Sequence, residues 1–148
     1  MKTVEALHRS GVAVTPDTTI KAAAGLMEHA GVGALAVVED GHLVGIVTDR
    51  DLVRRGIAGG APLDGRIDSV MTTPVVTVDA GADLHSVFAV FRTNAVRRIP
   101  VVRGAEFVGM ITADDLLIDL AGDLADLARP ITAEALFAHR NVAVPSTR

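Results

Sequence analysis

Two threonine–aspartate pairs at one spacing are the residues best suited to chemistry. Thr48 and Asp51 close the stretch Gly45-Ile46-Val47-Thr48-Asp49-Arg50-Asp51-Leu52, and Thr112 and Asp115 close Gly109-Met110-Ile111-Thr112-Ala113-Asp114-Asp115-Leu116. An acid three residues after a threonine can complete a capping box, in which the threonine accepts from the third helical N–H and the acid reaches back to the cap. It can equally accept two hydrogen bonds from a vicinal diol while the helix N-terminus beside it favours a phosphate. Spacing leaves both readings open, and one pair of side chains can serve both. Arg97 and Arg98 are the second candidate. They are either two adjacent cations suited to phosphate or an exposed helix-to-strand turn bridged to acids.

Other constellations offer less. His8, His29, His42, His85 and His139 show no ligand spacing such as two at i and i+4, so no metal site is assigned. Cysteine is absent, which excludes a disulfide framework, a thiolate nucleophile and a thiolate zinc site. Asp49, Asp51, Asp114 and Asp115 lack a matched nucleophile, and adjacent acids at helix starts are favourable dipole partners. Arg50, Arg54 and Arg55 read as a solvated helix face, with phosphate contact as the lesser alternative. Gly31 and Gly33 lack the phosphate-loop context, and no Gly-x-x-x-x-Gly-Lys pattern exists. No catalytic residue is assigned, and the chain is not read as an enzyme.

The two stretches belong to a longer repeat at a constant offset of 64 residues, which takes 45 to 109 and 51 to 115. The same offset pairs Val12 with Val76, Val14 with Val78, Ile20 with Leu84, Val32 with Val96, Val37 with Val101, Val38 with Val102 and Val44 with Val108. One half runs over about 1–60, the other over about 65–124, and 125–148 forms a C-terminal tail. Most matches are apolar, so both halves build the same kind of core. A core accounts for the valines but not for the repeated Thr and Asp.

Each half reads strand, helix, strand, strand, helix, an α+β architecture of two β-α-β-β-α repeats with a pseudo-two-fold axis between them. In the first, Val4 to His8 is a helical lead-in and Gly11 to Val14 a strand. Thr15 to Thr19 caps a helix buried through Ile20, Ala23, Ala24 and Met27, and Gly31 ends it. Ala34 to Val38 and Leu43 to Val47 form a hairpin around an Asp40-Gly41 turn. Thr48 opens a helix to about Gly56. In the second, Ile67 to Met71 is the lead-in, Val75 to Val78 the strand, and Asp83 caps a helix buried through Leu84, Val87, Phe88 and Phe91. Ile99 to Val102 then pairs with Glu106 to Ile111. Pro130 is expected to break the last helix, with a further short helix over Ile131 to His139 and a frayed end from Val142.

Composition narrows the classes. Repeats of about 60 residues are marginal alone, whereas 148 residues with 49% apolar content support one continuous core. Mean hydropathy is +0.40, yet charges or turn residues interrupt every apolar run well short of a bilayer span, so no membrane partner is expected. The start, Met1-Lys2-Thr3-Val4-Glu5, has no apolar block behind its charge, which points to a cytoplasmic location. A net charge of -4 with interspersed signs and only 3% aromatics argues against nucleic acid as a partner.

With this element order and Gly-apolar-apolar-Thr-x-x-Asp after each third strand, the chain resembles a tandem pair of cystathionine-β-synthase-type (CBS) domains, a Bateman module. Val70-Met71-Thr72-Thr73-Pro74-Val75-Val76-Thr77-Val78 and Arg97-Arg98-Ile99-Pro100-Val101-Val102 carry the same likeness. The resemblance covers about residues 1–124. It implies a non-catalytic regulatory module, without a cofactor, that binds AMP, ADP, ATP or S-adenosylmethionine between the repeats. It also implies a homodimer shaped as a flat disc and an effector protein in another chain. One implied cleft uses Ile46, Thr48 and Asp51 with Thr73, Val76, Val96, Arg97 and Arg98. The other uses Met110, Thr112 and Asp115 with Val12, Val32, Gly33 and Ala34. Because Gly33 and Ala34 stand where the second repeat has Arg97 and Arg98, the Asp51 cleft is expected to favour phosphorylated ligands. A structural interaction module of the same fold that binds no nucleotide is the alternative.

Overall fold

Six strands form one sheet in the order β1-β2-β3-β6-β5-β4 in a computed structural model that describes residues 3–140. The strands are β1 (Ala13–Val14), β2 (Ala34–Glu39), β3 (His42–Thr48), β4 (Val78–Asp79), β5 (Arg98–Arg103) and β6 (Glu106–Thr112). The helices are α1 (Val4–Leu7), α2 (Ile20–Ala30), α3 (Asp49–Asp51), α4 (Leu84–Asn94) and α5 (Ala113–Arg140). A π-helical turn, Leu52–Ile57, continues α3, and a 3-10 turn, Ile67–Ser69, precedes the second repeat. The chain divides into two compact units, the second beginning at Asp114 and carrying α5.

The pseudo-symmetry is visible bond by bond. β1 runs parallel to β2 through Val14 and Val37, and β4 parallel to β5 through Val78 and Val101. Both hairpins shift register at the same place, between Val37 and Val38 and between Val101 and Val102. Where β3 meets β6, Leu43 N donates to Ala105 O and Phe107 N to Gly41 O, both at 3.1 Å. The Asp40-Gly41 turn forms as expected, with φ of 52° and 80° at its two residues. The first strand of each repeat is shorter than its sequence suggests. Arg9 is drawn out of line to bond both ways with Met110, and Thr72 does the same with Ile46.

Those last bonds reveal an exchange. The 3-10 lead-in of the second repeat lies on the first: Ile67 N donates to Thr18 O at 2.7 Å, and Ile67 and Val70 are buried with Ile20, Met27, Leu35, Val37, Val47 and Leu52. The N-terminal lead-in lies reciprocally on the second, with Val4 N donating to Ala82 O at 3.0 Å and Thr3 bridging to Asp83. A methyl group at Gly45 would run into the Met71 sulfur, and one at Gly109 into the His8 ring and the Arg9 carbonyl. Each glycine therefore sits where the other repeat's lead-in crosses a third strand. Val4 corresponds to Ile67 and His8 to Met71, an offset of 63, so the second repeat holds one more residue before its first strand.

Helix ends follow local chemistry. Thr19 accepts from Ala22 N at 3.0 Å, and Asp83 accepts from Ser86 N at 2.8 Å. The Ser86 backbone N–H holds the Asp83 carboxyl below the usual carboxylate range. The Arg66 guanidinium does the same for Asp68. A depressed folded value contributes stability above the unfolded value, near about 3.9, and loses it as pH falls through the folded one. The thermal midpoint is accordingly expected to hold down to about pH 5 and to drop below roughly pH 4. Asp83→Asn keeps a capping acceptor but no titrating group. Its melting curves between about pH 4 and pH 2 should show a smaller drop than the parent's.

Pro130 does not break the last helix: α5 continues through it to Arg140. A proline removes one backbone donor and crowds the preceding turn, a local penalty of about 3 kcal/mol that neighbouring turns can absorb. The helix expected separately over 131–139 is thus part of α5. The frayed end expected from Val142 lies outside the described residues.

Candidate functional site

Asp51 gathers contacts from its own cap, from Thr72 and from Arg55. Thr48 leaves β3 extended, its Oγ1 accepts from Asp51 N at 3.1 Å, and Asp51 Oδ2 accepts from Thr48 N at 3.0 Å. The capping box therefore exists. It fixes the carboxylate at the strand-to-helix corner, with the side chain 14% exposed. Thr72 Oγ1 then donates to both carboxylate oxygens, at 3.1 Å each. Arg55 Nη1 stands 3.9 Å from Asp51 Oδ1 and donates to Met71 O at 2.9 Å.

Apolar residues assemble beside this corner. Ile46, which bridges Thr72 through its backbone, packs in one cluster with Ala34, Met110 and the half-buried Val75. Residues assigned by sequence to different clefts, Ile46 to one and Ala34 and Met110 to the other, thus touch one another. Arg98 is brought across to the first repeat: its Nη1 lies 3.5 Å from Gly33 O, and a methyl group at Gly33 would meet the guanidinium. The same carbonyl accepts from Asp49 N at 3.0 Å, so Arg98 stands at the first peptide of α3. Arg97 is exposed, and its carbonyl makes the equivalent bond with Ala113 N at 2.9 Å.

Several expected residues lie at the margin. Thr73 is exposed, one residue beyond the threonine that meets Asp51, while Val76 and Val96 are half-buried. Val12 O accepts from Ala36 N, Val32 N donates to Met27 O, and Thr112 ends β6. Asp115 stands half-buried in the first turn of α5. Sequence reasoning missed Thr72 and Arg55. The signal for Thr72 was available: aligning Val4 with Ile67 and Leu7 with Val70 moves the lead-in by one residue and sets Thr72, not Thr73, opposite a third strand. Arg55 had no comparable signal, because it lies in the π-helical turn.

The fold defines a tandem-repeat module of two β-α-β-β-α halves sharing one sheet. The chain belongs to the CBS domain family, whose pattern it matches twice, over residues 4–57 and 67–122. It is 41% identical over 121 residues to the uncharacterized protein YlbB of Bacillus subtilis, covering 76% of this chain and 82% of that one. It is 33% identical over 119 residues to Hypoxic response protein 1 of Mycobacterium tuberculosis, covering 78% and 83%. The crystal structure of Hypoxic Response Protein I, which holds two coordinated zinc ions, superposes with a TM-score of 0.73 over 80% of this chain and 99% of that one at 31% identity. CBSX2 in complex with AMP shares the fold with a TM-score of 0.73 over 82% and 98%, at 23% identity. Among the described residues here, no group of three or more His, Cys, Asp or Glu side chains could hold a metal ion, and no helix is long and apolar enough to cross a membrane.

Proposed function

We propose that this protein is a regulatory sensor that binds an adenosine-containing ligand, such as AMP, ADP, ATP or S-adenosylmethionine, at the Asp51 corner and signals to a partner protein in the cytoplasm without catalysis. The observation that carries the reading is the bifurcated hydrogen bond from the Thr72 hydroxyl to the two oxygens of a carboxylate fixed by its own cap. A ribose diol has two hydroxyl protons and can donate one hydrogen bond to each oxygen of the carboxylate, so it can take over the position Thr72 holds. Ile46 and Val75 supply apolar surface for an adenine face. Arg98, at the start of α3, supplies a cation for a phosphate. CBSX2, with the same fold, binds AMP. The ligand acts by stabilising one arrangement of the module, or of a homodimer, over another.

A second reading has one observation in its favour. Asp51 is already satisfied by Thr48, Thr72 and Arg55, which suits a structural interaction module that binds no nucleotide. A thermal-shift series with the four ligands separates the two. A ligand at 100 times its dissociation constant adds about 2.7 kcal/mol to the native state. Thr72→Val, which removes the competing hydroxyl, should bind several-fold more tightly than the parent, and Thr72→Ser should match the parent. No shift with any ligand at millimolar concentration leaves the structural module as the function.

A further inference from the structure

Arg55 reaches across to the segment that joins the two repeats. Its Nη1 donates to Met71 O at 2.9 Å and to Val70 O at 3.3 Å, which uses both protons of that nitrogen. Asp51 Oδ1, 3.9 Å away, is beyond hydrogen-bond length and contributes attraction only. Leu52 and Gly56 of the same π-helical turn are buried, so the base of the arginine is fixed while its side chain is 53% exposed. Ala58 N closes the turn by donating five residues back to Val53 O at 2.9 Å, a geometry that recurs at functional sites. At the 64-residue offset Arg55 corresponds to Asp119, and an ionised carboxylate has no proton to give a carbonyl, so the sequence provides this contact once. The gripped segment is tied to the first repeat residue by residue. Val70 is buried in the first core, Met71 crosses Gly45, and Thr72 exchanges backbone bonds with Ile46 at 2.7 and 3.2 Å while its hydroxyl sits on Asp51. Arg55 thus holds the two carbonyls immediately before the threonine that occupies the candidate ribose position.

We propose that Arg55 is a latch: it seats residues 67–72 on the first repeat, keeps Thr72 against Asp51, and is opposed by a ligand that takes the place of Thr72. This role rests on the reading of the Asp51 corner as a ribose site and adds how occupancy there is passed on. A diol that displaces Thr72 removes one anchor of the segment, and Arg55 resists the shift that clears the side chain. Binding and latching are therefore antagonistic. Such coupling is reciprocal, so whatever weakens the latch strengthens the ligand by the same factor. The segment runs on towards the strand Val78–Asp79, so its release is felt in the second repeat.

Two measurements on the full-length protein test the latch. Without ligand, backbone amide hydrogen exchange is compared between the parent and Arg55→Met, which keeps an apolar stem and removes the donors. The Met71 and Thr72 amides, bonded to Ile67 O and Ile46 O, should exchange about tenfold faster or more, while those of β2 are unchanged. An unchanged segment overturns the latch, and so does a rise shared equally by β2, which would make Arg55 a support of the whole core. With ligand, titration calorimetry gives affinities for adenosine, AMP and S-adenosylmethionine, which share the diol although only AMP carries a phosphate. All three should bind Arg55→Met about fivefold more tightly than the parent, or better. In a Thr72→Ala background, where neither hydroxyl nor methyl has to be cleared, Arg55→Met should add nothing. Equal gains in both backgrounds, no gain in either, or a loss confined to AMP, which would make Arg55 a phosphate contact, overturns the antagonism. If none of the three binds the parent, the ligand reading fails and the antagonism with it, whereas a segment loosened in Arg55→Met still shows the clasp.

Discussion

Asp51→Ala is expected to abolish ligand-induced stabilisation and to weaken binding by about 100-fold or more, because two hydrogen bonds to a charged acceptor, each of roughly 1.5–3 kcal/mol, are lost together. The substitution also removes half of the capping box, so the unliganded protein should be less stable by about 1 kcal/mol. The two effects separate cleanly in calorimetry, where the midpoint without ligand reports the cap and the ligand-dependent increment reports the site. Asp115→Ala is the informative comparison. Arg98 stands by Gly33 and the start of α3, and the position equivalent to Arg98 in the first repeat is Ala34. Loss of ATP binding should therefore be much greater for Asp51→Ala than for Asp115→Ala. Equal losses would mean that the two cations confer no preference.

The second large effect concerns the core. Leu35→Ala, at a fully buried position on β2, is expected to cost about 2–5 kcal/mol through lost burial and the cavity left behind. Ile99→Ala, its equivalent on β5 and equally buried, should cost a similar amount, about 2–5 kcal/mol. The more telling outcome is the shape of the transition. Because Ile67 and Val70 lie in the first core while Val4 N is bonded to Ala82 O in the second repeat, damage to either core loosens a segment that the other needs. Both variants should unfold in one shifted transition in calorimetry. Two resolved transitions would show the repeats to be independent.

Much of this was legible because it is written in local chemistry. The Asp40-Gly41 turn and the Thr48 and Asp83 caps each act within a few residues, and each forms where sequence places it. What stayed hidden is long-range. Periodicity locates the lead-ins but says nothing about which repeat they lie on, and it takes contacts such as Ile67 N to Thr18 O and Val4 N to Ala82 O to reveal the exchange. The same exchange selects Thr72 over Thr73, since one extra residue in the crossing segment decides which hydroxyl meets Asp51. Arg55 was read as solvated and remains exposed, but it reaches the Val70 and Met71 carbonyls. Pro130 misled for a different reason, because a local penalty does not set the length of a helix by itself.

The crossed lead-ins also bear on how such a protein can be divided or descended. A chain holding one repeat would carry a lead-in with nothing to lie on and a groove beside its third strand, at Gly45 or Gly109, with nothing to fill it. Two such chains satisfy each other by trading those segments, so a halved gene yields an obligate pair whose folding depends on concentration. The present chain is that pair made covalent. Fusing the halves turns an encounter between molecules into closure of a loop, whose entropy rises only slowly with its length. Within one chain the two halves need not be identical, and one holds Arg97 and Arg98 where the other has Gly33 and Ala34.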